Sequence, residues 1–208
     1  MTLATSLDTY RIEVALYNGF ISRAFTQDSS RNYILTEQER SFVVDSAFLR
    51  IFISWETFLE SAFISYLIGE SSTSGRVAIK YASPQDAQHA CEMLIGTQKY
   101  VDWANPEIVR RLSRLYFDNG DPIYQVLSSI QSDLFDIRTI RNAAAHLSFT
   151  TGHQLDALAS RKLRRPHTSI TVGDLILSLD PNRTDGTTIL ANYLSLLDAA
   201  AFEIATWP

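Results

Sequence analysis

Leu7, Tyr10, Val14, Tyr17 and Ile21 recur at three- and four-residue steps, which predicts an amphipathic helix over about residues 6–25. A polar break follows from Gln27 to Asn32. Thr36-Glu37-Gln38-Glu39 has the form of a capping box, in which a threonine oxygen and a glutamate carboxylate satisfy free amides at a helix start. The long helix expected from there carries Phe42, Phe48, Ile51, Phe52, Trp55, Phe58, Leu59, Ala62, Phe63, Tyr66 and Leu67, and Gly69 is a natural left-handed stop. Ile53 and Ile64 make it apolar nearly all round, so it belongs in the middle of a bundle. Between Phe48 and Leu67 its acids are Glu56 and Glu60, four residues apart on one face.

Ser83-Pro84 and Asn105-Pro106 each set a capping residue before a proline, the arrangement of a helix start. Gly96 closes the first of these helices, and Asp118 to Pro122 is a turn. Residues 123–131 and 133–148 form one helix or two. Beyond Thr151-Gly152 a short helix ends in a basic run. Residues 168–179 are open to two readings, a short strand or a short extra helix. A last helix spans about Thr188 to Thr206. The fold class is therefore all-α, and the 208 residues form a single helical domain, with about 153–208 as a C-terminal extension packed on the bundle.

Composition narrows the chemistry. One cysteine, Cys91, cannot form an internal disulfide, and with four scattered histidines it does not make a usual zinc ligand set. A reducing, cytoplasmic setting is expected. The start of the chain lacks the pattern of a secretory signal, and no membrane span is expected. Eighteen basic against 23 acidic side chains give a charge of −5, which excludes a protein that coats nucleic acid with its whole surface. A local patch is still available in Arg161, Lys162, Arg164 and Arg165, as an RNA contact or as an ordinary solvated helix end.

The segment with most chemistry is Arg141-Asn142-Ala143-Ala144-Ala145-His146. On a helix, Ile137, Ile140, Ala144 and Leu147 fall on one side and face inward, while Arg138, Asn142 and His146 follow at four-residue steps on the other, with Arg141 at the flank. Such a stripe is commonly the wet face of a helix. This one holds no acid and sets arginine beside histidine. Arginine clamps an anionic phosphate, and histidine titrates near neutral pH, so the pair suits a phosphodiester. There is no G-x-S-x-G, no glycine-rich phosphate loop and no base tied to Cys91. No cofactor and no catalytic metal are expected. His89 and Cys91 read as packing and surface residues, and His153 and His167 have no partner of known spacing.

Arg141 to His146 matches the R-x4-H motif of HEPN domains, including the asparagine those domains often carry after the arginine. Together with the preceding aromatic helix and its Trp55-Glu56 pair, the chain resembles the prokaryotic HEPN nucleases of the MAE and RiboL-PSP types. The resemblance implies a metal-independent endoribonuclease whose motif helices face each other across a homodimer. Attack by a ribose 2′-hydroxyl needs a base and an acid, and two His146 side chains from two protomers would supply both. Arg141 would stabilise charge on the phosphorane, and Asn142 would orient His146 or the phosphate. Arg138 could hold a neighbouring phosphate. Glu56 could orient His146 or pair with Arg141, or else make a structural ion pair elsewhere.

The biology implied is that of a toxin or an antiviral or stress-defence effector, with an antitoxin or defence-system protein as partner. A non-catalytic HEPN module for RNA binding or protein interaction is the alternative. In one group of such toxins a tyrosine two residues after the histidine is modified by a partner enzyme. Ser148 stands at that position here.

Overall fold

A computed structural model describes every residue except Met1 and Leu147. It is all-α: α1 (Leu3–Ala24), α2 (Glu37–Ile68), α3 (Ala87–Ile95), α4 (Pro106–Tyr116), α5 (Ile123–Ser129), α6 (Gln131–Ala145), α7 (Phe149–Lys162), α8 (Val172–Leu177) and α9 (Ile189–Thr206). Among the described residues extended pairing is confined to single bridges, such as Leu179 with Thr188.

Several helix ends form where local chemistry requires them. The Thr36 amide donates to Glu39 Oε2 at 2.8 Å, while the Glu39 amide donates back to Thr36 Oγ1 at 3.3 Å, which is the capping box read from the sequence. Asn105 caps α4 with Pro106 in its first turn. Gly96 ends α3, and Gly69, at φ 97°, follows α2 in the left-handed region.

Other expectations are corrected, and two open alternatives, at 123–148 and 168–179, are resolved. The helix near Ser83-Pro84 starts at Ala87, because Asp86 is the residue whose carboxylate accepts the His89 amide, at 2.8 Å. Residues 123–148 hold two helices, with the break at Ile130 (φ −113°, ψ 17°). The motif helix ends at Ala145 rather than near 148, since Ser148 caps a new helix that already contains Gly152. The 168–179 segment is the short helix α8, started by Thr171 Oγ1 accepting the Asp174 amide. Phe42, expected in the core, is 73% exposed, because it lies on the outer side of the first turns of α2. Both α2 and α9 are long and apolar enough to cross a membrane by length and composition, where no such stretch was expected. In α2 that apolarity is spent on the protein's own interior, for Trp55, Phe63, Tyr66 and Leu67 are all but fully buried.

The chain divides into two compact units, each drawn from separate segments. The first comprises residues up to Arg11, Trp55–Phe135 and Leu196–Pro208. Its core is aromatic: the Tyr10 and Phe58 rings are 5.6 Å apart, and the Phe63 ring lies 5.0 Å from Phe117 and 5.6 Å from Trp103. Tyr66 is buried with its hydroxyl donating to the Ile204 carbonyl at 2.6 Å.

The second comprises Ile12–Ser54 and Asp136–Ser195 and contains the whole R-x4-H segment. Its interior includes Val44, Phe48 and Ile51 of α2, Ile137 and Ile140 of α6, Leu155 and Leu158 of α7, Leu175 and Ile176 of α8, and Tyr193 of α9. Helix α8 packs on α2 at Gly173, where a Cβ would lie 3.4 Å from Val44 Cγ1. Asp136, 5% exposed, anchors the end of α7: it accepts from Arg161, and Lys162 Nζ lies 2.9 Å from its Oδ2.

Candidate functional site

Helix α6 buries Leu134, Ile137, Ile140 and Ala143 at three-residue steps, so its inner side passes through Ala143 rather than Ala144, which is half-buried. Leu147 lies outside the described residues. Arg138, Arg141 and Asn142 are half-buried, drier than a fully solvated face. The Arg141 guanidinium donates to Asn142 Oδ1 at 3.4 Å, which joins the first two motif residues.

His146 comes one residue after the end of α6, yet its amide still donates to the Asn142 carbonyl at 2.9 Å. That last helical bond keeps it one turn above Asn142. The chain then reverses. The His146 carbonyl accepts from the Thr151 hydroxyl at 2.6 Å and from the Ser148 amide at 3.0 Å, and Ser148 Oγ in turn accepts the Thr151 amide in a capping box. The backbone of His146 is thus pinned between the end of one helix and the start of the next, while the residue is exposed.

His146 lines a cleft of about 350 Å³. Ser41 and Asp45 of α2 form one wall. The first turns of α7, the positive end of that helix dipole, contribute Thr151 and Gly152 beside the cap Ser148, and Ile170 to Val172 supply another side. Asp45 is a residue the sequence reading missed. Its Oδ1 is buried and has no hydrogen-bond partner among the described residues, and burial pushes its carboxyl up to about 6. A signal was present, because Asp45 interrupts the run from Phe42 to Phe48, just as Glu56 interrupts the run that follows. Among the described residues, Asp45 and His146 are the titratable groups of the cleft wall.

The remaining candidates lie elsewhere. Arg138, Arg141 and Asn142 sit on α6 behind His146 and do not line the cleft. Glu56 is half-buried, belongs to the first unit and does not line it either. The cations of the basic run have different partners. Arg161 and Lys162 are committed to Asp136, Arg164 donates to Asn182 Oδ1 at 2.5 Å, and Arg165 Nε donates to His167 Nε2 at 3.2 Å. Cys91 is half-buried, and burial followed by the charge of Glu60 raises its thiol pKa, which disfavours a reactive thiolate. His89 accepts the Gln85 amide through Nδ1, and the His153 ring packs edge-on against Phe149 at 4.2 Å.

Among the described residues no group of three or more histidine, cysteine, aspartate or glutamate side chains could hold a metal ion, so none is assigned to one. The cleft offers a titratable imidazole, a titratable carboxyl and hydroxyl groups, a set able to move protons on a bound polar ligand. Comparison with family models, curated proteins and solved structures finds no match to this chain.

Proposed function

We propose that this chain is a HEPN-type endoribonuclease that cleaves RNA without a metal, through attack of a ribose 2′-hydroxyl on the adjacent phosphate, and that it works as a homodimer in the cytoplasm. The observation that supports this reading most is the setting of His146. Its backbone is fixed by three hydrogen bonds while the residue is exposed at a cleft, which is how a proton-transfer group is held ready without being sealed from substrate. Arg141 and Asn142, hydrogen-bonded to each other one turn behind, are within the same helix end. In this reading Arg141 stabilises the phosphorane and Asn142 positions either Arg141 or the phosphate. RNA is the substrate class because DNA lacks the nucleophilic hydroxyl. A toxin or defence effector held in check by a partner protein is the biological role that fits such an activity.

Labelled RNA incubated with the protein and a chelator tests the reading. Cleavage by the wild type, lost in His146→Ala and in Arg141→Ala, is the expected result. Cleavage retained by both variants, or abolished by the chelator, overturns it. Sizing chromatography is expected to give a dimer.

One observation favours the alternative of a non-catalytic HEPN module that binds RNA or a protein. Arg141 is half-buried and off the cleft wall, a placement that suits a structural arginine as well as a phosphate clamp. RNA bound but not cut by the wild type would establish that alternative.

A further inference from the structure

We infer that Asp45 is the general base of the His146 cleft, so that one chain carries both proton-transfer groups of the reaction. The inference rests on the ribonuclease reading above, and it replaces the second histidine expected from a partner protomer with a carboxylate of the same chain.

The argument starts from cost. A carboxyl group on a helix whose neighbours Val44, Ala47 and Phe48 are buried is normally paired or solvated. Asp45 has one oxygen buried with no hydrogen-bond partner among the described residues, and no lysine or arginine stands on the wall it shares with His146. Asp45 is half-buried, and among the described residues no partner repays the burial of that oxygen. Side chains kept at such a cost are common where chemistry needs a displaced pKa. The second observation is placement: Asp45 shares its cleft with His146, the residue singled out independently by the sequence motif, and the remaining wall consists of hydroxyl-bearing and uncharged residues.

The direction of proton flow follows. A carboxylate made more basic by burial is a better proton acceptor than an ordinary aspartate and is still mostly ionised at neutral pH. Asp45 takes the proton from the ribose 2′-hydroxyl as the 2′-oxygen forms its bond to phosphorus. The bond from phosphorus to the 5′-oxygen breaks, and the His146 imidazolium delivers its proton to that leaving oxygen. The products are a 2′,3′-cyclic phosphate and a 5′-hydroxyl, and exchange with water returns Asp45 to carboxylate and His146 to imidazolium. No metal, oxidant or co-reactant enters the balance.

The test is the pH profile of RNA cleavage in chelator for the wild type, Asp45→Asn, Asp45→Glu and His146→Ala. The proposal expects Asp45→Asn to lose roughly 10²- to 10⁴-fold in kcat with KM little changed, and to lose the acidic limb of the profile. Asp45→Glu recovers part of the rate, which a purely structural role would not produce. Asp45→Asn cutting within about threefold of the wild type, with the acidic limb intact, overturns the proposal while leaving the ribonuclease reading in place. A wild type that does not cut RNA, or a fully active His146→Ala, overturns the reading itself. Mixed assembly of Asp45→Asn with His146→Ala chains decides whether the pair is intramolecular. No activity is expected from the mixture, and recovered activity would assign the two groups to different chains and overturn the single-chain form.

Discussion

Lys162 Nζ lies 2.9 Å from Asp136 Oδ2, an ion pair that ties the last turn of α7 to a buried position on α6. Burial works against the charge of Lys162, but Asp136 together with Tyr193, whose ring centre is 5.1 Å away, outweighs it and raises the lysine pKa. Removing the carboxylate leaves a half-buried cation without its partner. Asp136→Ala is expected to lower stability by about 3 kcal/mol, read from urea unfolding. A loss under about 0.5 kcal/mol would show the pair to be dispensable.

The same pair bears on the basic run. Arg161 and Lys162 are structural, so replacing them changes the fold's stability as well as any RNA affinity. Arg164 and Arg165 are exposed and give the cleaner test. If the run contacts RNA, Arg164→Ala with Arg165→Ala weakens binding and lowers the slope of log affinity against log salt by about 1 to 2. An unchanged slope assigns the run to packing alone.

His146 is exposed, and its held atoms belong to the backbone. His146→Ala should therefore change stability by less than about 0.5 kcal/mol. Cleavage in chelator should fall by at least about 100-fold. Thermal melting beside the RNA assay separates these effects. A large drop in melting temperature would mean the histidine is structural.

Asp45 makes a prediction about stability whose sign is set by its raised pKa. The folded state favours the neutral carboxyl, so its contribution is fully present below the unfolded pKa of about 4 and is lost as pH rises through about 6. Asp45→Asn keeps a neutral group at every pH. It should match the wild type at pH 4 and exceed it at pH 8 by about 1 kcal/mol, after allowance for solvent screening at a part-open cleft. Urea midpoints at both pH values decide the matter, and equal stability at pH 8 would contradict it.

Ser148 caps α7 and helps hold the His146 carbonyl. Ser148→Ala should cost about 1 kcal/mol of stability. Because the lost hydroxyl lies 3.0 Å from the Thr151 hydroxyl that donates to the His146 carbonyl, cleavage should also drop by roughly tenfold in kcat with KM unchanged. A loss of stability without any change in kcat would show that the cap does not position the histidine.

What the sequence determined by itself are the features encoded within a few residues. The Thr36 to Glu39 capping box, the Asn105-Pro106 start and the Gly96 stop are each set by the backbone bonds of one turn, and all three are found in the folded chain. The period of apolar residues likewise located the long buried helix through Trp55 and Phe63, because burial of one face repeats every turn. The stripe of Arg138, Asn142 and His146 was legible for the same reason. Where two local signals competed, as at Ser83-Pro84 against Asp86 or Gly152 against Ser148, the choice went to the residue with a hydrogen-bonding cap.

Tertiary structure alone decided which distant side chains meet. Nothing local to Asp45 says that it faces the end of α6, and nothing local to Arg161 and Lys162 says that Asp136 will take both. Those pairings depend on which faces of α2, α6 and α7 pack together, a property of the whole apolar surface of each helix. The packing moved the second titratable group of the cleft from Glu56, where a polar residue among aromatics had drawn attention, to Asp45. It also turned half of a basic run from a surface into an anchor, because a buried carboxylate holds its cations more firmly than water does.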